Sequence, residues 1–169
     1  MDIVVENGTG LPTANSYISA EEADEILSVN IHSVWSEIDD EETKEKLCMW
    51  ATRLLDGRAK WFGCKMYGTS GLAWPRSGVR DKEGFPIEDD IVPRQVKIAT
   101  ALLADHLLSG NPELVNTSSN LTKLQVDVIE LSFDSRQAVA KYPREIAITI
   151  DGLGRISMGG GGPKHIIRH

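Results

Sequence analysis

Two long segments of the chain carry apolar residues at helical spacing, and we predict that each forms a core helix. The first begins near Asp39 to Glu42, whose carboxylates suit a helix N-terminus. The second begins at Pro93, a residue favoured at the first helical position, and ends at Gly110-Asn111-Pro112. The residues that recur on one face of each helix are Leu47, Trp50, Ala51, Leu54, Leu55 and Arg58, then Val96, Ala99, Leu102, Leu103, His106 and Leu107.

The N-terminal region predicts an extended run, a turn and a short helix. The apolar run Ile3 to Val5 stops at Asn7-Gly8-Thr9-Gly10, whose glycines permit the positive φ angles that turns need. Ser19 and Glu22 then have the spacing of a capping box, in which each side chain binds the backbone amide of the other residue. We expect the helix to run from there to about Ser28.

The C-terminal part of the chain mixes strand and helix patterns. The segment KLQVDVIELSF, from Lys123, alternates as a strand, but its apolar positions change from even to odd numbers after Val128. We expect a bulge near Val128, or a strand that buries different faces along its length. Tyr142-Pro143-Arg144 begins a last short helix or strand, and Gly159 to Gly162 form a hinge before the terminus.

These patterns predict a mainly α fold. We expect a small helical bundle with a short β-hairpin or extended arm and a flexible C-terminal tail. A chain of 169 residues with 41% hydrophobic and 25% charged content favours one domain. We therefore predict a single helical domain over residues 1–157 and a glycine-hinged tail over residues 158–169.

Composition and charge indicate the cellular location that we expect for the protein and the charge of its two ends. No apolar run approaches the roughly 18 residues that a membrane span needs, and MDIVVENGTG lacks the features of a signal peptide, so we expect a cytoplasmic protein without a membrane partner. The net charge is −7, and all eleven acids before Lys44 stand without a Lys or Arg among them. Beyond Asp151 every Asp, Glu, Lys or Arg position is a Lys or Arg, so this end of the chain is basic. The two ends could therefore attract each other between copies, or both could simply be solvated.

Motifs for catalysis, cofactors and metals are weak. Gly152-Leu153-Gly154 follows an apolar run as in a dinucleotide-binding turn, but Ser157 replaces the third glycine and too little chain follows. Cys48 and Cys64 form neither a zinc pattern nor a disulfide framework. Neither GxSxG nor HExxH is present, and the paired acids are explained by helix capping. We expect no enzyme activity, no cofactor and no metal.

One segment has the composition of a nucleic-acid site. In GRAKWFGCKMYG, cations alternate with aromatic residues, the combination that single strands need for phosphate pairing and base stacking. The alternative is that the aromatic residues extend the core face of the preceding helix and the cations form a solvated rim. The candidate residues are Arg58, Lys60, Trp61, Lys65 and Tyr67.

The segment LAWPRSGVRDKEGFPI predicts a structural clamp with an exposed turn. Pro75 restricts the backbone before it, so we expect Trp74 to be buried and to fix the loop to the core. Arg76 is then suited to a carboxylate or to backbone carbonyls. The charged residues between Val79 and Phe85 suit a hairpin-like turn that is offered to a neighbouring molecule.

Several motifs together identify a family resemblance. Asn7-Gly8-Thr9-Gly10-Leu11-Pro12, Ala14-Asn15-Ser16-Tyr17-Ile18-Ser19, Ala73-Trp74-Pro75-Arg76, Ile91-Val92-Pro93 and Tyr142-Pro143 occur in this order. The chain resembles small tailed-phage and prophage proteins that carry the description DnaT-like single-stranded-DNA-binding protein, and within them the head-to-tail adaptor, or connector, proteins of the phage neck. The resemblance covers nearly the whole chain.

The resemblance implies a structural protein of the virion neck that is assembled in the bacterial cytoplasm. It implies a homo-oligomeric ring, typically of twelve copies, that binds the portal protein and a tail or tail-completion protein. DNA passes through the lumen of such a ring without sequence-specific contacts. The alternative function is single-stranded-DNA binding. On the adaptor interpretation, the candidate contact residues are Trp74, Arg76, Val79 and Phe85, together with Ile166, Ile167 and Arg168 in the tail.

Overall fold

The computed structural model describes residues 2–108 and 142–156, together with the backbone pairing of residues 123–126 and 129–132. Its elements are α1 Ala20–Leu27, a 3-10 turn Trp35–Glu37, α2 Glu41–Arg58, β1 Ala59–Trp61, β2 Cys64–Lys65, β3 Arg76–Ser77, α3 Arg94–Leu108, β4 Lys123–Val126, β5 Ile129–Ser132, α4 Arg144–Thr149 and β6 Gly154–Ile156. Helix α3, one of the two predicted core helices, contacts α1, α2 and α4, so it is the central helix of the fold.

Helix α1 begins at the predicted capping box. The Ser19 hydroxyl accepts a hydrogen bond from the Glu22 amide at 3.1 Å, and the Glu22 carboxylate accepts one from the Ser19 amide at 3.2 Å. These bonds satisfy amides that have no partner within a helix. The helix ends before Ser28, as predicted, and it buries Ala23 and Leu27 against the core.

Helices α2 and α3 form the centre of the core, as their apolar periodicity predicts. The Asp40 side chain caps α2 by accepting from the Thr43 amide. One expected core residue is placed differently, because Trp50 is 39% exposed whereas Ala51 is fully buried. Successive helical residues are about 100° apart, so Trp50 lies on the flank of the buried stripe and not within it.

The described residues form three small antiparallel sheets beside the helices. Strand β1 pairs with β6, so that Ala59 lies opposite Ile156 and Trp61 lies opposite Gly154. Strand β2 pairs with β3. Gly154 is required at its position, because an added Cβ would lie 2.9 Å from the Trp61 ring. The apparent dinucleotide-binding motif is therefore a turn after α4, and its last residue, Gly154, begins a strand that packs closely against an aromatic side chain.

The segment predicted as one strand from Lys123 is a pair of strands. Strands β4 and β5 pair antiparallel with each other, with Val126 opposite Ile129 and Lys123 opposite Ser132. The change of phase in the apolar pattern falls where the chain reverses direction between these strands. The predicted bulge position, Val128, lies outside the described residues.

The fold class is mixed α/β, which corrects the prediction of a mainly α bundle. The predicted helices are present, and Tyr142-Pro143-Arg144 does begin a helix. Each sheet among the described residues, however, pairs strands of only two to four residues. A three-residue strand has too few positions to show a period of two, so periodicity alone finds only the long helices. The proposed boundary near residue 157 stays a prediction, because the tail lies outside the described residues.

None of the helices formed by the described residues combines the length and the apolar composition that crossing a membrane requires.

The side chain of Trp74 is buried in the core, as predicted. It is 0% exposed, and its ring meets the Trp61 ring edge to face at a centroid distance of 5.7 Å. The peptide bond between Trp74 and Pro75 is cis. Among the described side chains, its Nε1 is a buried donor without a hydrogen-bond partner, so packing alone supplies the stability that Trp74 contributes.

Replacing Trp74 by Ala should lower the free energy of unfolding by about 3 kcal/mol, measured by urea denaturation. This is the lower end of the usual range for a buried aromatic residue. The substitution also removes a buried N–H group that has no partner, and the relief of that cost offsets part of the lost packing. The control is Phe85→Ala in the same segment, where the side chain is 69% exposed and the loss should stay within about 0.5 kcal/mol. Equal losses for the two variants would contradict the burial of Trp74.

Candidate functional site

A buried carboxylate joins three separate segments of the chain. The Asp56 carboxylate accepts hydrogen bonds from the Tyr17 hydroxyl at 2.7 and 2.9 Å, from Trp61 Nε1 at 3.1 Å and from the Ala73 amide at 2.9 Å. The Tyr17 hydroxyl oxygen also accepts from the Trp74 amide at 3.2 Å. We call these residues, Asp56, Tyr17, Trp61, Ala73 and Trp74, the polar hub. It fixes the N-terminal segment and the Trp-Pro-Arg turn to the end of α2.

Burial shifts the ionisation of both acidic groups in the polar hub. The pKa of Asp56 is raised chiefly by desolvation, although the hydrogen bonds from Tyr17, Ala73 and Trp61 act in the opposite direction. The pKa of the Tyr17 phenol is raised well above its usual value by burial and by the neighbouring Asp56 charge. Tyr17 therefore keeps its proton at neutral pH and remains a donor to Asp56.

A second buried carboxylate organises the Asn7-Gly8-Thr9-Gly10 turn. Glu6 is 1% exposed, and its side chain accepts from the amides of Gly8, Gly10 and Leu11, each at 2.9 Å. Gly10 has a φ of 73°, and an added Cβ would lie 2.2 Å from the Tyr67 ring. The glycines therefore serve the packing of this loop, and Tyr67 is held against it.

Arg76 binds backbone carbonyls, one of the two roles expected for it. Its guanidinium donates to the Phe62 carbonyl at 2.7 Å, the Ala73 carbonyl at 3.1 Å and the Gly63 carbonyl at 2.9 Å. These bonds join the Trp-Pro-Arg turn to the end of β1. Arg76 thus stabilises the loop, and its donors are engaged within the chain.

The turn from Val79 to Ile87 has the predicted hairpin form. Arg80 and Pro86 form an antiparallel bridge, and the Asp81 carboxylate accepts from the amides of Glu83 and Phe85 at 2.9 Å. Phe85 is 69% exposed, so it can contact another molecule. Trp74 and Val79, by contrast, are buried, which corrects their assignment as contact residues, because neither reaches the surface.

The strand geometry separates the predicted nucleic-acid residues. Lys60 is exposed and lies opposite Arg155 in the β1–β6 pairing, whereas Trp61 is half-buried in the polar hub. Side chains alternate along a strand, so Trp61 and Lys60 lie on opposite faces. Phe62 is 37% exposed, and the Arg155 guanidinium lies 5.7 Å from the centre of its ring. We call Lys60, Phe62 and Arg155 the cationic strip.

The remaining residues of that predicted set do not join the cationic strip. Lys65 is exposed, but its ammonium donates to the Ser70 carbonyl at 2.7 Å, and Tyr67 is half-buried against Gly10. Arg58 is exposed at the end of α2 and has an interaction partner. Arg155 was missed as a site residue because only the pairing of β6 with β1 brings it beside Lys60.

The remaining candidates from the sequence are Cys48, possible metal ligands and the residues of the C-terminal tail. Burial raises the pKa of the Cys48 thiol to about 12, so it is protonated at neutral pH and is a poor nucleophile. Within residues 2–108 and 142–156, no group of three or more His, Cys, Asp or Glu side chains could hold a metal ion. The predicted tail contacts Ile166, Ile167 and Arg168 lie outside the described residues.

A family model described as "Putative DnaT-like ssDNA binding protein" matches residues 1–168 of the chain. No curated protein and no solved structure matches it. The family match confirms the resemblance to DnaT-like proteins that the sequence motifs predict, and it covers both the polar hub and the cationic strip.

Replacing Asp56 by Asn should lower the free energy of unfolding by about 1–3 kcal/mol, because the Asn amide group would face one of the hub donors. The loss should be greatest in acid. The folded pKa of Asp56 is raised, so the stability that its proton contributes is present at low pH and is lost as the pH rises through the folded pKa.

Urea denaturation of both proteins between about pH 4 and pH 7 measures this effect. The two proteins share all other titrating groups, so the difference between them reports Asp56. A loss that grows as the pH rises would contradict the raised pKa.

Proposed function

We propose that this chain, which belongs to the DnaT-like family matched over residues 1–168, is a structural adaptor that joins the head of a tailed phage to its tail. In this proposal the chain forms a ring, typically of twelve copies, below the portal protein and above a tail or tail-completion protein. DNA passes through the ring without sequence-specific contacts. The chain acts at the virion neck after assembly in the host cytoplasm, and it has no catalytic role.

The observation that carries the proposal is the exposure of large apolar side chains on a well-packed domain. Ile31 is 89% exposed, Val29 84%, Phe85 69% and Ile148 64%. Val29 and Ile31 lie two residues apart in one loop, and exposed apolar groups that lie close together mark contacts with other molecules. These side chains occur on three different elements, as a subunit with neighbours on several sides requires.

The polar hub supports the same function. An adaptor must present its contact surfaces in a fixed arrangement, and the hub and Arg76 hold the loops between α2 and α3 by hydrogen bonds from buried or half-buried groups. Side chains that are fixed before binding lose less conformational entropy when a partner binds. The fixed shape of the domain then supplies affinity that charge alone would not.

The alternative function, single-stranded-DNA binding, is favoured by one observation. The cationic strip places an exposed ring on the same face of the β1–β6 pair as two exposed cations, one of which lies beside the ring. Such a surface can stack one base and pair with adjacent phosphates. Its small size and the net charge of −7 favour the adaptor over this alternative.

The adaptor proposal predicts the outcome of a joining assay. Filled heads and free tails prepared without this chain should stay separate, and adding the wild-type chain should restore complete particles counted by electron microscopy. A chain that lacks residues 159–169 should fold but join far fewer particles, since the proposal assigns tail contacts to Ile166, Ile167 and Arg168. Heads that join tails without the chain would contradict the adaptor role.

A DNA titration decides the alternative. The adaptor proposal predicts no salt-dependent binding of a labelled oligonucleotide at micromolar protein, measured by fluorescence anisotropy at about 50 and 200 mM salt. If binding is found, Lys60→Glu with Arg155→Glu should remove it and reduce the salt slope by about 0.7 for each lost phosphate contact. Lys82→Glu, at another exposed cation, is the matched control. Binding that only the strip variant loses would support the alternative.

A further inference from the structure

We propose that the loop of residues 28–34 of one copy inserts into a groove on the outer face of α2 in the next copy. We call these two surfaces the apolar loop and the α2 groove. The inference rests on the proposed function, because it names the contact that would link the subunits of the ring. It assigns a role to two surfaces that the polar hub and the cationic strip do not use.

The apolar loop presents apolar side chains from a fixed backbone. Val29 and Ile31 are 84% and 89% exposed, and residues 28–34 contain no Asp, Glu, Lys or Arg. The Ser33 hydroxyl donates to the Asp105 carboxylate at 2.7 Å and accepts from the Trp35 amide at 3.1 Å. The loop is therefore anchored to α3 while its two most exposed apolar side chains, Val29 and Ile31, project into solvent.

The α2 groove has a size and a lining that suit such a loop. It encloses about 850 Å³ and is open to solvent along one side. Met49, Trp50, Ala14 and Leu72 supply apolar lining, and Lys46 and Arg53 also line it. Two branched aliphatic side chains could replace the solvent that Trp50 contacts, and removing their surface from water would favour the contact.

The two surfaces lie on opposite faces of α2. Lys46, Trp50 and Arg53 recur at helical spacing on one face. The other face packs toward α1, where Lys44 pairs with Asp24 at 2.8 Å. Thus the loop that follows α1 cannot reach the groove of its own chain. A copy that has inserted its loop still offers a free groove, so the contact repeats head to tail and closes a ring when the rotation allows it.

Charge distinguishes a second copy from other occupants. The apolar loop is flanked by exposed acids, Glu25 in α1 and Glu37 in the 3-10 turn. The α2 groove carries Arg53 and Lys46, both exposed, and Lys46 also pairs with Glu42 at 2.7 Å. Insertion of the loop therefore brings opposite charges together around an apolar centre, which favours this pairing and fixes its orientation. Single-stranded DNA would use the same cations and Trp50, but it would place phosphates near the Asp56 carboxylate at the inner side of the groove.

Three variants test the inference by sedimentation velocity over a concentration series. Ile31→Asp should block the loop, and Lys46→Glu with Arg53→Glu should block the groove. Each should weaken self-association by at least about 30-fold, since a charge would be buried or an opposite pair would become a like pair. Met66→Asp introduces the same charge at an exposed apolar residue that neither proposal places in a contact, and it should assemble as the wild type does.

Mixing the two blocked variants gives the sharpest result. The loop-blocked variant keeps its groove, and the groove-blocked variant keeps its loop, so together they should form a one-to-one dimer and nothing larger. Circular dichroism of each variant should match the wild type, because all of the changed side chains are exposed.

The outcomes separate the inference from the proposed function. Unchanged assembly by both blocked variants, an equal loss for Met66→Asp, or no dimer in the mixture would overturn the inference and leave the adaptor role to the joining assay. A wild-type chain that stays monomeric at all concentrations but joins heads to tails would also overturn it. An oligonucleotide that binds the wild type and not the groove-blocked variant, with assembly unchanged, would assign the groove to DNA.

Discussion

The buried carboxylate of Asp56 is the constraint on which the rest of the structure depends. Its donors come from Tyr17, Trp61 and Ala73, which are far apart in sequence and lie in segments too short to be stable alone. A buried carboxylate is costly unless its oxygens are hydrogen-bonded, so the three segments must take their positions together. The hub therefore turns several irregular loops into one fixed body around α2.

The candidate interaction surfaces are positioned by this arrangement. Arg76 joins the Trp-Pro-Arg turn to the end of β1, and Trp74 packs against Trp61 beneath it. The hairpin that carries Phe85 leaves the core directly after these anchors. The apolar loop and the α2 groove, in turn, occupy opposite faces of the helix that carries Asp56. A rigid interior with apolar projections on several sides is what assembly into a larger particle requires.

The long helices and the capping box could be predicted from the sequence because their signals are local. Ser19 and Glu22 lie three residues apart, and the apolar stripes of α2 and α3 repeat over several turns. The hub could not be predicted, because the donors to Asp56 are brought to it only by the tertiary fold. Arg155 could not be predicted as a site residue for the same reason, because it lies beside Lys60 only through the pairing of β6 with β1. Trp50 was misplaced because its position at the edge of the apolar stripe is ambiguous, and packing decides which edge is buried.

Electron cryomicroscopy of intact particles released by cells that produce this chain is the most direct measurement of its role. The account predicts a closed ring of the chain between the portal and the tail, with the DNA channel along its axis and the apolar loop of each copy against α2 of the next. Particles that lack the chain entirely, together with recovery of the chain from infected cells on single-stranded DNA, would contradict it.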